Sequence, residues 1–137
     1  MSRANYSNDL DLWDLIRWQG AVASAMRGKR GRTLLADLAA ALDAMPEKVL
    51  IHGDLVNKAG DCCALGAVAI HRHMPIEGVM AIDPEDSEQV AKAFNVAEAL
   101  AREVAYQNDE MGRSGETPQQ RWERIRLWVA ERLERLS

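Results

Sequence analysis

Two adjacent cysteines, Cys62 and Cys63, and three histidines, His52, His71 and His73, are the side chains in this 137-residue chain best suited to bond chemistry. Thiolate and imidazole are the usual zinc ligands, and a thiolate beside an imidazole base is a nucleophile. The spacing disfavours a metal: zinc sites take cysteines in C-x₂-C pairs, whereas these are neighbours, and His71 and His73 would lie on different faces of any helix. No metal and no cofactor are expected. Cys63 precedes a helix-like segment, whose N-terminus would lower a thiol pKa. With His52 or His71 as base, a thiol enzyme is the third reading. Small buried thiols are far commoner than catalytic ones, so the expectation is a protein without catalysis. A bridge between neighbouring cysteines would be strained, which points to reduced thiols and a cytoplasmic location.

Four cations, Arg27, Lys29, Arg30 and Arg32, are interleaved with Gly28 and Gly31. Glycine lets a backbone approach phosphates, so the segment can contact nucleic acid. The structural reading is that these cations complement the negative end of a preceding helix. Lys and Arg number 17 against 21 Asp and Glu, a formal net charge of −4, which disfavours a general nucleic-acid binder and favours the structural reading. The acids Asp83, Glu85, Asp86, Glu88, Asp109 and Glu110 form no evident catalytic pair; they stand at helix starts, where capping explains them.

Four of the seven aromatics are tryptophans: Trp13, Trp18, Trp122 and Trp128. If the first and last helices pack together, part of this set is core. Trp13 and Trp18 are five apart and cannot point the same way. An exposed tryptophan is a typical interface hot spot. Trp18 and Trp128, with Arg27, Lys29, Arg30 and Arg32, are the candidate partner-binding residues. A helical homodimer through the Trp-bearing helices is also compatible with the pattern.

The elements that must hold these residues are mostly helical. Ser7 or Asn8 caps a first helix with a stripe of Leu12, Leu15, Ile16, Ala23 and Met26, and Gly20 marks a bend. A second helix over 33–45 carries Leu34, Leu35, Leu38, Leu42 and Met45 on one face and stops at Pro46. The run from Val49 to Cys63 reads as a small β-hairpin around Asn57-Lys58-Ala59-Gly60. Further helices are expected over 64–73, from Asp83-Pro84, from a capping box of Asn95 with Glu98, and from Thr117-Pro118 to about Leu136. The last carries Trp122, Ile125, Val129, Leu133 and Leu136 inward, with Trp128 at the edge. The fold expected is a compact, mostly α domain over 1–137, with five to six helices and a hairpin near 49–63. No apolar run approaches the length that spans a bilayer, so no membrane partner is expected.

Several segments taken together resemble a family of small proteins encoded by phages and prophages of proteobacteria. They are Arg27-Gly28-Lys29-Arg30-Gly31 with Leu34-Leu35-Ala36-Asp37-Leu38, Ala41-Leu42-Asp43-Ala44-Met45-Pro46-Glu47-Lys48, Cys63-Ala64-Leu65-Gly66-Ala67, Ile82-Asp83-Pro84-Glu85-Asp86, Asn108-Asp109-Glu110, and Glu116-Thr117-Pro118 with Arg121-Trp122. The resemblance covers about residues 17–130 and supplies no catalytic residues. It implies an accessory protein that binds a host protein complex, such as a CRISPR–Cas effector, and inhibits or redirects it stoichiometrically. A nucleic-acid-associated regulator using 27–32 is the alternative.

Overall fold

The computed structural model describes residues 12–137, so the expected caps Ser7 and Asn8 lie outside the described residues. Among the described residues there are seven helices and no strand: α1 (Leu12–Arg27), α2 (Lys29–Ala44), α3 (Ala64–His71), α4 (Ile76–Met80), α5 (Ser87–Phe94), α6 (Glu98–Asp109) and α7 (Pro118–Leu136). The short α4 is the helix that hydrophobic periodicity did not reveal.

α2 is central, packing against α1, α3 and α7. Its leucines at 34, 35, 38 and 42 recur at intervals of three and four, and all four are fully buried. α6 closes the other side against α1, α3 and α5, and the buried residues of all seven helices form one cluster. The C-terminus of α2 is doubly held. Trp122 Nε1 donates to the Leu42 carbonyl at 3.2 Å, and the Lys48 ammonium donates to the carbonyls of Leu42, Asp43 and Met45.

α7 begins with the expected capping box. The Thr117 hydroxyl accepts from Gln120 N at 3.1 Å, and the Gln120 side chain accepts from Thr117 N at 2.9 Å. The first turns of α7 then bind the end of α6: Arg121 and Arg124 donate to carbonyls of Gln107 and Asn108, and both guanidiniums pair with Glu116. Asn108 extends this joint. Its amide donates to the Ile51 carbonyl, and its oxygen accepts from Ala64 N at the start of α3.

The expected hairpin near 49–63 is absent and is corrected to an irregular loop with one antiparallel bridge, Val56 to Cys62. Gly53, at φ +88°, turns the chain between Ile51 and Leu55, and each bonds separately to the returning segment: Ile51 N to the Cys62 carbonyl, the Leu55 carbonyl to Cys63 N. The ladder therefore cannot extend, and packing holds the loop. A β-carbon on Gly66 would stand 1.9 Å from the Leu55 oxygen, so the first turn of α3 presses directly on the loop.

Other boundaries move. Asp83 closes a turn, its carboxylate accepting from Glu85 N at 2.9 Å, and Asp86 is the cap of α5. Asn95 is the left-handed C-cap of α5 at φ 56°, not the N-cap of α6, which starts behind Ala97. Gly20 makes no break in α1.

Candidate partner-binding face

α1 buries Trp18, Val22 and Met26, an i, i+4, i+8 row. The expected stripe through Leu12, Ile16 and Ala23 is thereby corrected: all three are exposed, Leu12 at 69% and Ile16 at 46%. The Trp18 row is the one that faces α2 and α6, the two helices on which α1 packs. Trp18 Nε1 donates to the buried carboxylate of Glu103 at 3.3 Å, and Glu103 also accepts from Gln107 at 2.8 Å.

Turning 100° per residue from that row places Trp13, Ile16, Gly20, Ser24 and Arg27 within about 80° of one another on the opposite side. Trp13 is 70% exposed. Gly20 has nothing within 4 Å of where a β-carbon would be. The outward face of α1 thus runs from an aromatic and aliphatic end, over small residues, to a cation. Aromatics and arginine are the residue types enriched in protein interfaces.

The face continues into the basic segment. Arg27, Lys29, Arg30 and Arg32 are all exposed and are brought together at one corner. Only Gly28 separates α1 from α2, so three of the four cations fall in the first turns of α2. There they face the positive end of the helix dipole, with no acid in that turn and no side-chain cap on Gly28. Cations at this end are disfavoured by about 0.3–1 kcal/mol each at exposed sites. The structural explanation by dipole complementarity therefore holds for Arg27 alone. Arg30 reaches the Asn95 side chain at 3.5 Å; among the described residues the side chains of Arg27, Lys29 and Arg32 make no hydrogen bond or ion pair.

Gly31 does not open the backbone to a ligand. It is buried, and a β-carbon there would lie 1.9 Å from the Ala25 oxygen, so its missing side chain lets α2 fold back against α1.

Of the candidate residues, the four cations gather at the surface, but Trp18 and Trp128 are core, at 4% and 7% exposure. Trp128 lies under the Arg132 guanidinium, 5.9 Å from its ring centroid. The exposed tryptophan is Trp13, which is not among the candidate residues. Its signal was the pair Trp13 and Trp18: once Trp18 heads the row with Val22 and Met26, Trp13 must face outward.

The cysteines also depart from expectation. Cys63 caps α3, its sulfur accepting from Gly66 N at 3.5 Å, yet burial outweighs that bond and pushes the thiol up to about 12. Burial, then the Asp61 carboxylate, pushes Cys62 up to about 11. A nucleophile needs the opposite shift. Among the described residues no group of three His, Cys, Asp or Glu side chains could hold a metal ion, and no helix is long and apolar enough to cross a membrane. The acids are brought together in part: burial raises the Glu110 pKa, and Asp109 and Glu85 add to it.

Comparison of the chain with protein-family models, curated proteins and solved structures found no match.

Proposed function

We propose that this chain is a phage-derived protein that binds a host protein complex stoichiometrically and inhibits or redirects it by covering a surface. A CRISPR–Cas effector is the partner class this reading favours. The observation that carries it is the outward face of α1, where an exposed Trp13 stands in line with Ile16, Gly20 and Arg27 and no core role explains it. Arginine and tryptophan on one rigid helix, separated by small residues, make a suitable anchor pair for a protein partner. The phage origin and the host partner rest on the sequence resemblance. Capture of the tagged protein from nuclease-treated proteobacterial lysate, with mass spectrometry of what is retained, tests it. Stoichiometric recovery of one complex is the expected result, and recovery of bait alone counts against it, including by a dimer built on Trp13.

A second reading, a nucleic-acid-associated regulator, is favoured by one specific observation. Lys29, Arg30 and Arg32 surround an uncapped helix N-terminus, where backbone N–H groups and cations suit a phosphate. Binding to duplex DNA that weakens steeply with salt, and flattens when the four cations are neutralised, would support it over the first reading.

A further inference from the structure

At the far end of α2 from the basic corner, a groove of about 420 Å³ opens between the end of α2, one side of α3 and residues 60–62. That volume lies within the range of small-molecule sites. Its walls are apolar: Ala41, Met45, Val49, Cys62, Ala67 and Ile70. Ala41 and Ala67 make the space, since larger residues on the facing helices would fill it.

The polar groups on the rim are Glu47, Asp61 and His71. No lining residue is a Lys or Arg, and among the described residues neither Glu47 nor Asp61 makes an ion pair. The cations nearest in sequence are engaged elsewhere. Lys48 is bound to the carbonyls that end α2 and lies over Trp122, while Arg72 pairs with Asp37 at 2.7 Å and donates to the Phe94 carbonyl. α2 directs its C-terminal end, the negative pole of its dipole, towards the groove, whereas α3 runs the other way, with Arg72 at its end beside Asp37. Lys48 offsets part of that pole. The Asp61 field reaches the floor, where it adds to burial in raising the Cys62 thiol.

We propose that this groove binds a small organic cation, a primary amine or guanidine carrying an apolar body, with the body against Ala41, Ala67 and Ile70 and the charged head between Glu47 and Asp61. The apolar walls exclude a bare inorganic cation, and the unopposed carboxylates exclude a fatty acid. The site is separate from the α1 face, so each can fail without the other.

Amide chemical shifts of the full chain, titrated with 2-phenylethylammonium, 2-phenylethanol and phenylacetate, test the proposal. Saturable shifts at Cys62, Ala67, Ile70 and His71 are expected with the ammonium. The alcohol should bind about fivefold more weakly, the size expected of two solvent-exposed charge contacts, and phenylacetate not detectably. Glu47→Gln with Asp61→Asn, both at exposed positions, should abolish the preference for the ammonium while leaving the spectrum folded. Ala44→Leu, also exposed and on the rim, should block all three ligands. Absence of saturable shifts at millimolar ammonium would overturn the proposal, as would equal binding of phenylacetate or an undiminished preference in the double variant.

Discussion

The backbone of Gly31 lies so close to the carbonyl of Ala25 that a β-carbon at residue 31 would stand 1.9 Å from that oxygen. This contact fixes the angle between α1 and α2 and so the position of the cations on either side of it.

Gly31→Ala must therefore force the two helices apart. The expected cost is about 1–3 kcal/mol, the range for overpacking a tight contact, read as a lower denaturation midpoint. Gly20→Ala is the contrasting case: the site is open and mid-helix, so the change should stabilise by about 0.5–1 kcal/mol. Equal effects at the two glycines would contradict the packing described at the corner.

Trp13 and Trp18 should separate cleanly. Trp13→Ala removes an exposed side chain and should change stability by no more than about 0.5 kcal/mol. Trp18→Ala empties a buried site and removes one hydrogen bond to the Glu103 carboxylate, for a loss of about 3–5 kcal/mol. Chemical denaturation of the two variants in parallel checks the assignment of α1's inward and outward faces.

That assignment shows where the sequence was legible. The α2 leucines and the Thr117 to Gln120 capping box follow directly from spacing and cap chemistry, because the same residues set both the local helix and its packing. α1 was ambiguous, since apolar residues occur all round it and only its partner helices α2 and α6 select the Trp18, Val22, Met26 row. The loop over 49–63 misled for a related reason. Its β-prone residues are held by Asn108 and Arg121, both distant in sequence, and by the face of α3, and not by a ladder. The cations could be placed on the surface from sequence, but not in the first turns of α2, which required the one-residue joint at Gly28.

The Glu116 carboxylate gives a pH dependence of stability. The hydrogen bond from Arg124 holds its pKa below the ordinary glutamate value, against partial burial, with further help from the charges of Arg124 and Arg121. A folded-state pKa lowered in this way contributes stability that is present above the unfolded value, roughly 4.3, and is lost as pH falls through the folded value. Glu116→Gln should therefore destabilise at neutral pH, with the difference from the parent shrinking in acid. A difference that grows below that range would contradict the ion-pair geometry at the joint of α6 and α7.

Both thiols should react slowly in the folded state. With Cys62 and Cys63 buried and their pKa values raised to about 11 and about 12, little thiolate exists at neutral pH. Titration with a chromogenic disulfide should find neither group reacting promptly in the native protein and both reacting in denaturant. Prompt native labelling of Cys63 would revive a thiol-dependent activity.

The most direct test is parallel capture from nuclease-treated proteobacterial lysate with the parent, Trp13→Ala, the quadruple change of Arg27, Lys29, Arg30 and Arg32 to Glu, and Trp18→Phe as a core control, with retained proteins quantified against the bait. The parent and the Trp18→Phe protein should retain one complex in fixed ratio, and the two surface variants should lose it while remaining folded. Retention of that complex by both surface variants, or recovery of the parent alone, would contradict the binding role assigned to the α1 face and its basic corner.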